Sequence, residues 1–263
     1  MNSFFYFIMI IIAVFFGYAG RFLTLSGSIA AAFVGILTVL GLHIEGLFLL
    51  GLFFATSSYW SKYKKHQKDQ VEERLAKGSR RDWLQVIANG GCAALTSLLY
   101  YVTGEPLYVI AFCILIATSN SDTWASEIGT LSKKLPLSVR TFHLVPRGTS
   151  GAISGLGTLA GIAGSALIAV ASLFLFAFSI EIALLVFLFG FLGNLFDTGL
   201  GAFVQATYRC NHCSLETEKT YHCGERTEKM RGFSLLNNDV VNLLSSLLAA
   251  LLGCIVINGL YYF

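Results

Sequence analysis

Three carboxylate clusters set into otherwise apolar stretches are where this 263-residue sequence holds the means to do chemistry. They run Ser119-Asn-Ser-Asp122-Thr-Trp-Ala-Ser-Glu127-Ile-Gly129, Gly193-Asn194-Leu-Phe-Asp197-Thr-Gly-Leu-Gly201 and Asn237-Asn238-Asp239-Val-Val-Asn242. An ionisable side chain at membrane depth is costly and is read first as functional. Helical spacing gathers partners: Asn194, Asp197, Gly201 and Gln205 share a stripe, Asn238, Asn242 and Ser245 another with Asp239 on its flank, and Asn120, Thr123 and Glu127 a third. Asp122 lies eleven residues before Lys133 and Asp197 twelve before Arg209, so parallel helices hold both at similar depth. Carboxylates so placed repel one another unless a cation sits between them. Oxygen-only donors suit magnesium, which is commonly shared with substrate phosphates. Asp122, Glu127, Asp197 and Asp239 are therefore the expected metal and catalytic set, with Asp122 and Asp197 the deepest.

A phosphate site is expected beside them. Lys133, Lys134, Arg140 and His143 lead into Arg147-Gly148-Thr149-Ser150-Gly151-Ala-Ile-Ser154-Gly155, a glycine- and hydroxyl-rich turn opening a helix. Backbone N–H groups with the positive helix end behind them cradle an anion, and Arg147 adds charge-assisted hydrogen bonds. The expected phosphate ligands are Arg147, Gly148, Thr149, Ser150, Ser154, Lys133 and Arg140, with Asn120, Thr123, Asn194, Gln205, Asn238 and Asn242 as the polar pocket. The turn is not a P-loop, and the competing reading is a plain helix start with small-residue packing faces at Gly151/Gly155 and Gly157/Gly161. Gln85, Asn89 and Thr96 form a weaker stripe better read as helix bridging.

Of six cysteines, Cys92, Cys113 and Cys254 fall in apolar spans as small packing residues. Cys210-Asn-His212-Cys213 and His222-Cys223 instead cluster in a basic loop. In a reducing compartment thiolates and imidazoles suit a closed tetrahedral zinc site, structural because four protein ligands leave no open position. Cys210, Cys213 and Cys223 with His222 or His212 supply four ligands; the alternative is a metal-free, hydrogen-bonded loop.

The elements that must position these groups are membrane helices. The chain is 55% hydrophobic and 13% charged, against roughly a quarter charged in soluble domains. Apolar runs such as Phe4–Phe16 and Leu184–Leu192 have no polar face, which disfavours a β-barrel, a disordered chain and a disulfide scaffold. The expected fold is an all-α polytopic integral membrane helix bundle forming one domain over residues 1–263. About eight spans (seven to nine) lie near 3–20, 26–43, 46–60, 83–103, 106–122, 151–178, 182–208 and 238–260. The first is read as a retained helix, since its start lacks a basic stretch and no A-x-A-like cleavage site follows. All 18 Lys and Arg fall in four connections, whereas the intervening ones hold only Glu45, Glu105 and Glu181. By the positive-inside rule the loops near 61–82, 131–150 and 209–237 face the cytoplasm, here of a prokaryotic cell membrane, and both termini lie outside. The longest polar connection, Ser61–Asp82, is too short for a core of its own, and its alternating Lys68, Asp69, Glu72, Glu73, Arg74 and Lys77 read as solvated.

The segments Asn120–Gly129, Arg147–Ser154, Gly193–Thr198 with Gln205, the Cys210/Cys213/His222-Cys223 loop and Asn237–Asn242 resemble, in order and over essentially the whole chain, an integral-membrane family. That family includes plant phytyl-phosphate kinase of vitamin E synthesis and the animal transmembrane protein nineteen (domain of unknown function family ninety-two). The resemblance implies transfer of the terminal phosphoryl of a nucleoside triphosphate, CTP or ATP, to a phytyl- or geranylgeranyl-type monophosphate, giving the diphosphate with magnesium. An acceptor phosphate is already ionised, which fits the lack of a histidine within the carboxylate clusters. The partners are then the lipid bilayer and the isoprenoid phosphate, with no nucleic acid. A transporter or lipid flippase is the alternative of another class, since it too places carboxylates in the membrane. Against it, Asn-x-Asp-Thr at 120–123 and Asn-x-x-Asp-Thr at 194–198 both point toward the basic side, and the non-cytoplasmic half of the bundle is almost without polar residues. A membrane prenyl- or nucleotidyltransferase would use the same magnesium and phosphate machinery on another bond.

Overall fold

In lipid, helices alone satisfy every backbone group of an apolar run within the run itself. The computed structural model, which describes residues 3–261, accordingly places the apolar runs in helices. A 17-residue apolar helix, α1 (Ser3–Ala19), precedes α2 (Leu25–Lys62). The single turn α3 (Asp69–Glu72) is followed by α4 (Trp83–Thr103), α5 (Leu107–Gly129), α6 (Gly155–Leu175), α7 (Ile180–Phe203) and α8 (Asn238–Tyr261). Six of these, α2 and α4 through α8, are long and apolar enough to cross a membrane.

At 38 residues α2 would extend about 57 Å if straight, nearly twice a hydrocarbon core of about 30 Å. It is not straight, because His43 (φ 45°, ψ −136°) breaks it and its two ends meet. Lys62 Nζ donates to the Gly20 carbonyl (2.5 Å), and Arg81 touches both ends, donating to Ser58 Oγ (2.9 Å) while its carbonyl accepts from Thr24 N–H (3.0 Å). The arms of this hairpin cover the expected spans 26–43 and 46–60. Elsewhere the boundaries move: α5 continues past residue 122 to Gly129, α6 begins at Gly155 rather than 151, and α7 stops at Phe203 rather than 208.

The central helix is α5, whose residues Val109 through Ser121 are all buried. Phe112, Ile114 and Ile116 pack there with Leu49, Ile168, Val186, Ala249 and Ile257 from the surrounding helices. Approach to α6 is close because α6 offers glycine: a Cβ at Gly161 would meet Asn194 Nδ2 and Ser121 Oγ, and one at Gly164 the Asn120 carbonyl. Ser121 Oγ and Asn120 Nδ2 donate back to the carbonyls of Gly161 and Gly164 (both 2.8 Å). Phe4, Phe15, Leu159, Phe174, Leu184 and Ile255 are exposed on outer faces, which suits contact with lipid.

The helix-bundle expectation holds, and in the connections chain too polar for lipid pairs as short antiparallel strands. These are β1 (Leu137–Ser138) with β2 (Ala152–Ile153); β3 (Thr207–Arg209) between β4 (Glu216–Thr217) and β7 (Glu228–Arg231); and β5 (Tyr221–His222) with β6 (Glu225–Arg226). All four basic connections meet at one end of the bundle. Besides the contacts at Gly20 and Arg81, Thr217 Oγ1 donates to the Arg74 carbonyl (2.8 Å) and Arg231 Nη2 to the Ser150 carbonyl (3.2 Å).

Gly161→Val should lower stability by about 1–3 kcal/mol by forcing α5, α6 and α7 apart. Thermal unfolding in detergent measures it, with Gly199→Ala, where an added Cβ meets nothing within 4 Å, as the unaffected control.

Candidate functional site

At the basic end the helix termini and loops enclose a cavity of about 350 Å³. Because α5 runs on to Gly129, Asp122 and Glu127 sit within its last two turns, and α7 brings Asp197 alongside. The Asp122 and Asp197 carboxyls face each other across the contact of α5 with α7. Asp197 is oriented from α8: its Oδ2 accepts from Ser245 Oγ (3.1 Å) and from Asn242, whose amide nitrogen turned toward it lies 3.0 Å away. The other two carboxylates stand apart. Glu127 accepts from Ser61 Oγ (2.6 Å) and Lys68 Nζ (2.7 Å), and Asp239 from Lys77 Nζ (2.5 Å), which also binds Asp82 (2.8 Å). The expected four-carboxylate set is thus a facing pair plus two lysine-bound members. Its oxygen-only character fits a hard divalent cation at Asp122 and Asp197.

Those lysines correct the solvated reading of the 61–82 connection. Lys68 is only 4% exposed, Arg81 is half-buried, and both line the cavity with Lys77. Alternating charge along a loop carries no period, so it does not show which members turn inward; acids waiting across the cavity decide that. Burial depresses the Arg81 guanidinium, partly offset by the charge of Glu127. For Lys77 burial acts against the charge, but the hydrogen bonds to Asp239 and Asp82 outweigh it and hold the ammonium above its usual 10.5. Burial likewise works against an ionised Asp82, yet Lys77 and the Gln85 N–H keep it below the usual 3.8.

The Arg147–Ser154 turn forms the facing wall. Gly148 (φ 79°) and Gly151 (φ 74°) are left-handed, and a Cβ would strike Val71 at the first and the Ala202 backbone at the second, so the turn is wedged between the 61–82 strap and α7. Arg147 Nη2 donates to the Lys133 carbonyl (3.1 Å), while its Nε is buried with no partner among the described residues. Ser150 Oγ donates to Gln205 Oε1 (2.9 Å), and Gln205 Nε2 to Glu218 Oε1 (2.7 Å). Burial raises the Glu218 carboxyl above its usual 4.5, eased by the Ala76 N–H and Gln205 and reinforced by Asp239.

Of the expected phosphate and pocket residues, Arg147, Gly148, Thr149, Ser150, Ser154, Thr123, Asn194, Gln205, Asn238 and Asn242 line the cavity. Three do not. Lys133 and Arg140 are exposed outside it, beyond the β1–β2 pairing of Leu137 with Ile153. Asn120 is fully buried, bridging Thr56, Ser57 and the Gly164 carbonyl. Ser154 also caps α6 through the Gly157 N–H (3.1 Å), and Gly157 and Gly161 do pack on α5, so part of the packing alternative holds. Gln85 and Asn89 line the cavity, whereas Thr96 bonds only to its own helix. Arg81, Lys68, Lys77 and Glu218 were not anticipated as site residues. The Cys210, Cys213, His222 and Cys223 ligand atoms lie within 4.8 Å of one another, while His212 is exposed and outside the group.

A family model described as integral membrane protein DUF92 matches residues 8–250. Protein PGR of Arabidopsis thaliana is 31% identical, covering 90% of this chain and 90% of that protein. Protein VTE6, chloroplastic, of the same plant is 30% identical over 88% of this chain and 64% of its own length. Uncharacterized membrane protein MJ0933 of Methanocaldococcus jannaschii is 29% identical, over 90% and 86%. No solved structure matches.

Two predictions follow from the buried charges. Lys68→Met should cost about 3–5 kcal/mol by stranding Glu127, and the added Glu127→Gln should restore most of it, as a double-mutant cycle in detergent will read. Glu218 favours its protonated form when folded, so its contribution is full below 4.5 and is lost as pH rises through its elevated folded value. Protease protection of the 205–232 loop should therefore fall from pH 4.5 toward neutrality in the parent chain and stay flat in Glu218→Gln.

Proposed function

The chain belongs to the integral membrane protein family DUF92, and from that membership we propose that its cavity transfers a phosphoryl group from a nucleoside triphosphate to an isoprenoid monophosphate. The product is the diphosphate. The observation that carries this reading is a single cavity holding a carboxyl pair, Asp122 and Asp197, and a buried arginine nitrogen without a partner, Arg147 Nε. Asp122 and Asp197 would hold a magnesium ion, which would supply positive charge against the triphosphate. Asn242 and Ser245 fix the Asp197 carboxylate for that task. Arg147 binds phosphate oxygens through its free Nε, with Thr149 and Ser150 hydroxyls beside it. Phosphoryl transfer asks for positioning and charge stabilisation more than for proton transfer, and an ionised acceptor needs no strong base.

The tail also has a place. Ile153 and Leu195 line the cavity and are 38% and 43% exposed, apolar surface against which an isoprenoid chain would lie while its phosphate stays at the polar end. The likeness of the motifs to the plant phytyl-phosphate kinase family supports a phytyl or geranylgeranyl acceptor. The positive-inside rule supports a cytoplasmic position for the cavity, on the side where nucleotide is found. Beneath it the bundle is filled by Leu42, Leu49, Phe112, Ile114, Ile168 and Val186, which favours chemistry at one face over passage through the bundle.

Purified chain in detergent with magnesium, labelled ATP or CTP and phytyl or geranylgeranyl phosphate should yield the diphosphate, and EDTA should stop it. Asp122→Asn, Asp197→Asn and Arg147→Ala should each lower kcat by about a hundredfold or more without altering the size-exclusion profile. Failure with both nucleotides and both acceptors, together with substrate flux in liposomes, would replace this reading by the transporter.

A further inference from the structure

The loop between α7 and α8 carries little regular structure of its own. Its strands are two to four residues long, shorter than sheets that stand unaided. Segments of this kind are fixed by a disulfide or a metal. The side chains at its tip are those of a metal site: Cys210 and Cys213 from the turn joining β3 to β4, and His222 and Cys223 from the β5–β6 hairpin.

We propose that Cys210, Cys213 and Cys223 with Nδ1 of His222 bind one structural zinc ion, and that this ion holds in place the loop that walls the cavity with Glu218. The geometry matches. Zn–S bonds of about 2.3 Å and a Zn–N bond of about 2.0 Å at the tetrahedral angle separate sulfur from nitrogen by about 3.5 Å. The His222 Nδ1 lies 3.4 Å from Cys213 Sγ and 3.2 Å from Cys223 Sγ. The backbone is arranged to present these atoms. Ser214, left-handed at φ 59°, closes a turn through its N–H to the Cys210 carbonyl (2.9 Å), putting the first two thiols on one side. Cys223 (φ 51°) and Gly224 (φ 80°) are the central residues of a two-residue hairpin between the His222–Glu225 pair. Positive φ at both is the mark of a type I′ turn, which prefers Asn, Asp or Gly; a cysteine there bears strain that ligation explains. Three thiolates and an imidazole in a tetrahedron suit zinc, and four protein ligands make the site structural. Binding releases the thiol protons to solvent.

The ion sits at the far end of the element that walls the cavity. From β4 the chain passes through Glu218, which accepts from Gln205, and its N–H bonds the Arg74 carbonyl (2.8 Å) of the strap. From β7 Arg231 donates to the carbonyls of Gly201, Ala202 and Ser150. Loss of the metal would therefore loosen the strap and turn from outside.

The test is elemental analysis of the full chain, purified in detergent without metal-affinity resin and without added zinc. One zinc per chain is expected, and cobalt exchanged into the site should show thiolate charge-transfer and tetrahedral ligand-field bands. Cys213→Ser and Cys223→Ser should lose the zinc; His222→Cys, His212→Ala and Cys254→Ser should keep it. A zinc chelator should expose the 205–232 loop to protease in the parent chain while the helices stay folded, reversibly on adding zinc, so the result does not depend on any variant folding. Folded chain without zinc, unchanged zinc in Cys213→Ser, or a mass lower by the two hydrogens of a Cys213–Cys223 disulfide would overturn the proposal. None of these readouts needs turnover, so the site stands or falls apart from the phosphoryl-transfer reading.

Discussion

The facing carboxyls of Asp122 and Asp197 are the constraint on which the bundle's arrangement turns. They meet only if α5 and α7 run parallel in contact, which requires α6 to return between them in sequence without separating them in space. Glycine makes this possible: a Cβ at Gly193 would strike Thr118, and one at Gly190 would strike Ala117 and Ser165. Without a hydrophobic drive between helices in lipid, such close approach and the hydrogen bonds it allows supply the adhesion. Ser165 Oγ to the Phe187 carbonyl (2.7 Å) and Ser121 Oγ to the Gly161 carbonyl (2.8 Å) are examples flanking the pair. The packing of α5 is thus also the means by which two charges are held where they would otherwise part.

Opposite charge comes from outside the membrane segments. The 61–82 strap, too polar to be buried alone, folds over the cavity because Glu127 and Asp239 offer its lysines better partners than water does once both are shielded. A buried pair of this kind contributes little net stability, since desolvation offsets attraction; its effect is to make one loop position far better than others. Capping does further work at the same place. Asp82 accepts from the Gln85 N–H to start α4 while binding Lys77, so the strap and the helix start are set together.

Much of this was legible in the amino-acid sequence, and what was not has a common cause. The equal distance of Asp122 and Asp197 from the basic loops places them side by side, because rise per residue converts sequence distance into depth. The stripe Asn194, Asp197, Gly201 and Gln205 ends in one cavity for the same reason. The two spans flanking His43 were separable by their apolar blocks, and the chain breaks between them at that residue. Loops have no such ruler. Arg147 was found from its glycines, yet nearby Lys133 and Arg140 point away, while Lys68, Lys77 and Arg81 looked solvated and are not. Asn120 was misplaced by sitting on the right helix but the wrong face, where it bridges Thr56 and the Gly164 carbonyl. Glu218 had no signal at all, since only the folding of the loop between β4 and β5 brings it to Gln205.

The charges lining the cavity do not balance, and the size of the imbalance bears on what enters it. Glu72, Asp122, Glu127, Asp197, Glu218 and Asp239 face Lys68, Lys77, Arg81 and Arg147, six acids against four bases. Both lysines are already engaged, one with Glu127 and the other with Asp239 and Asp82, so neither relieves the Asp122–Asp197 pair. Because Glu218 favours its proton when folded, the excess negative charge rests mainly on the Asp122–Asp197 pair, where it is offset by one divalent cation or by protons. A phosphate ester brought in by itself adds to the excess, whereas one that arrives with a divalent ion cancels it. Under the phosphoryl transfer we propose, this balance would favour a polyphosphate carrying its metal over a bare anion, and Arg147, whose Nε has no partner among the described residues, would be the cation that meets the phosphate arriving without one.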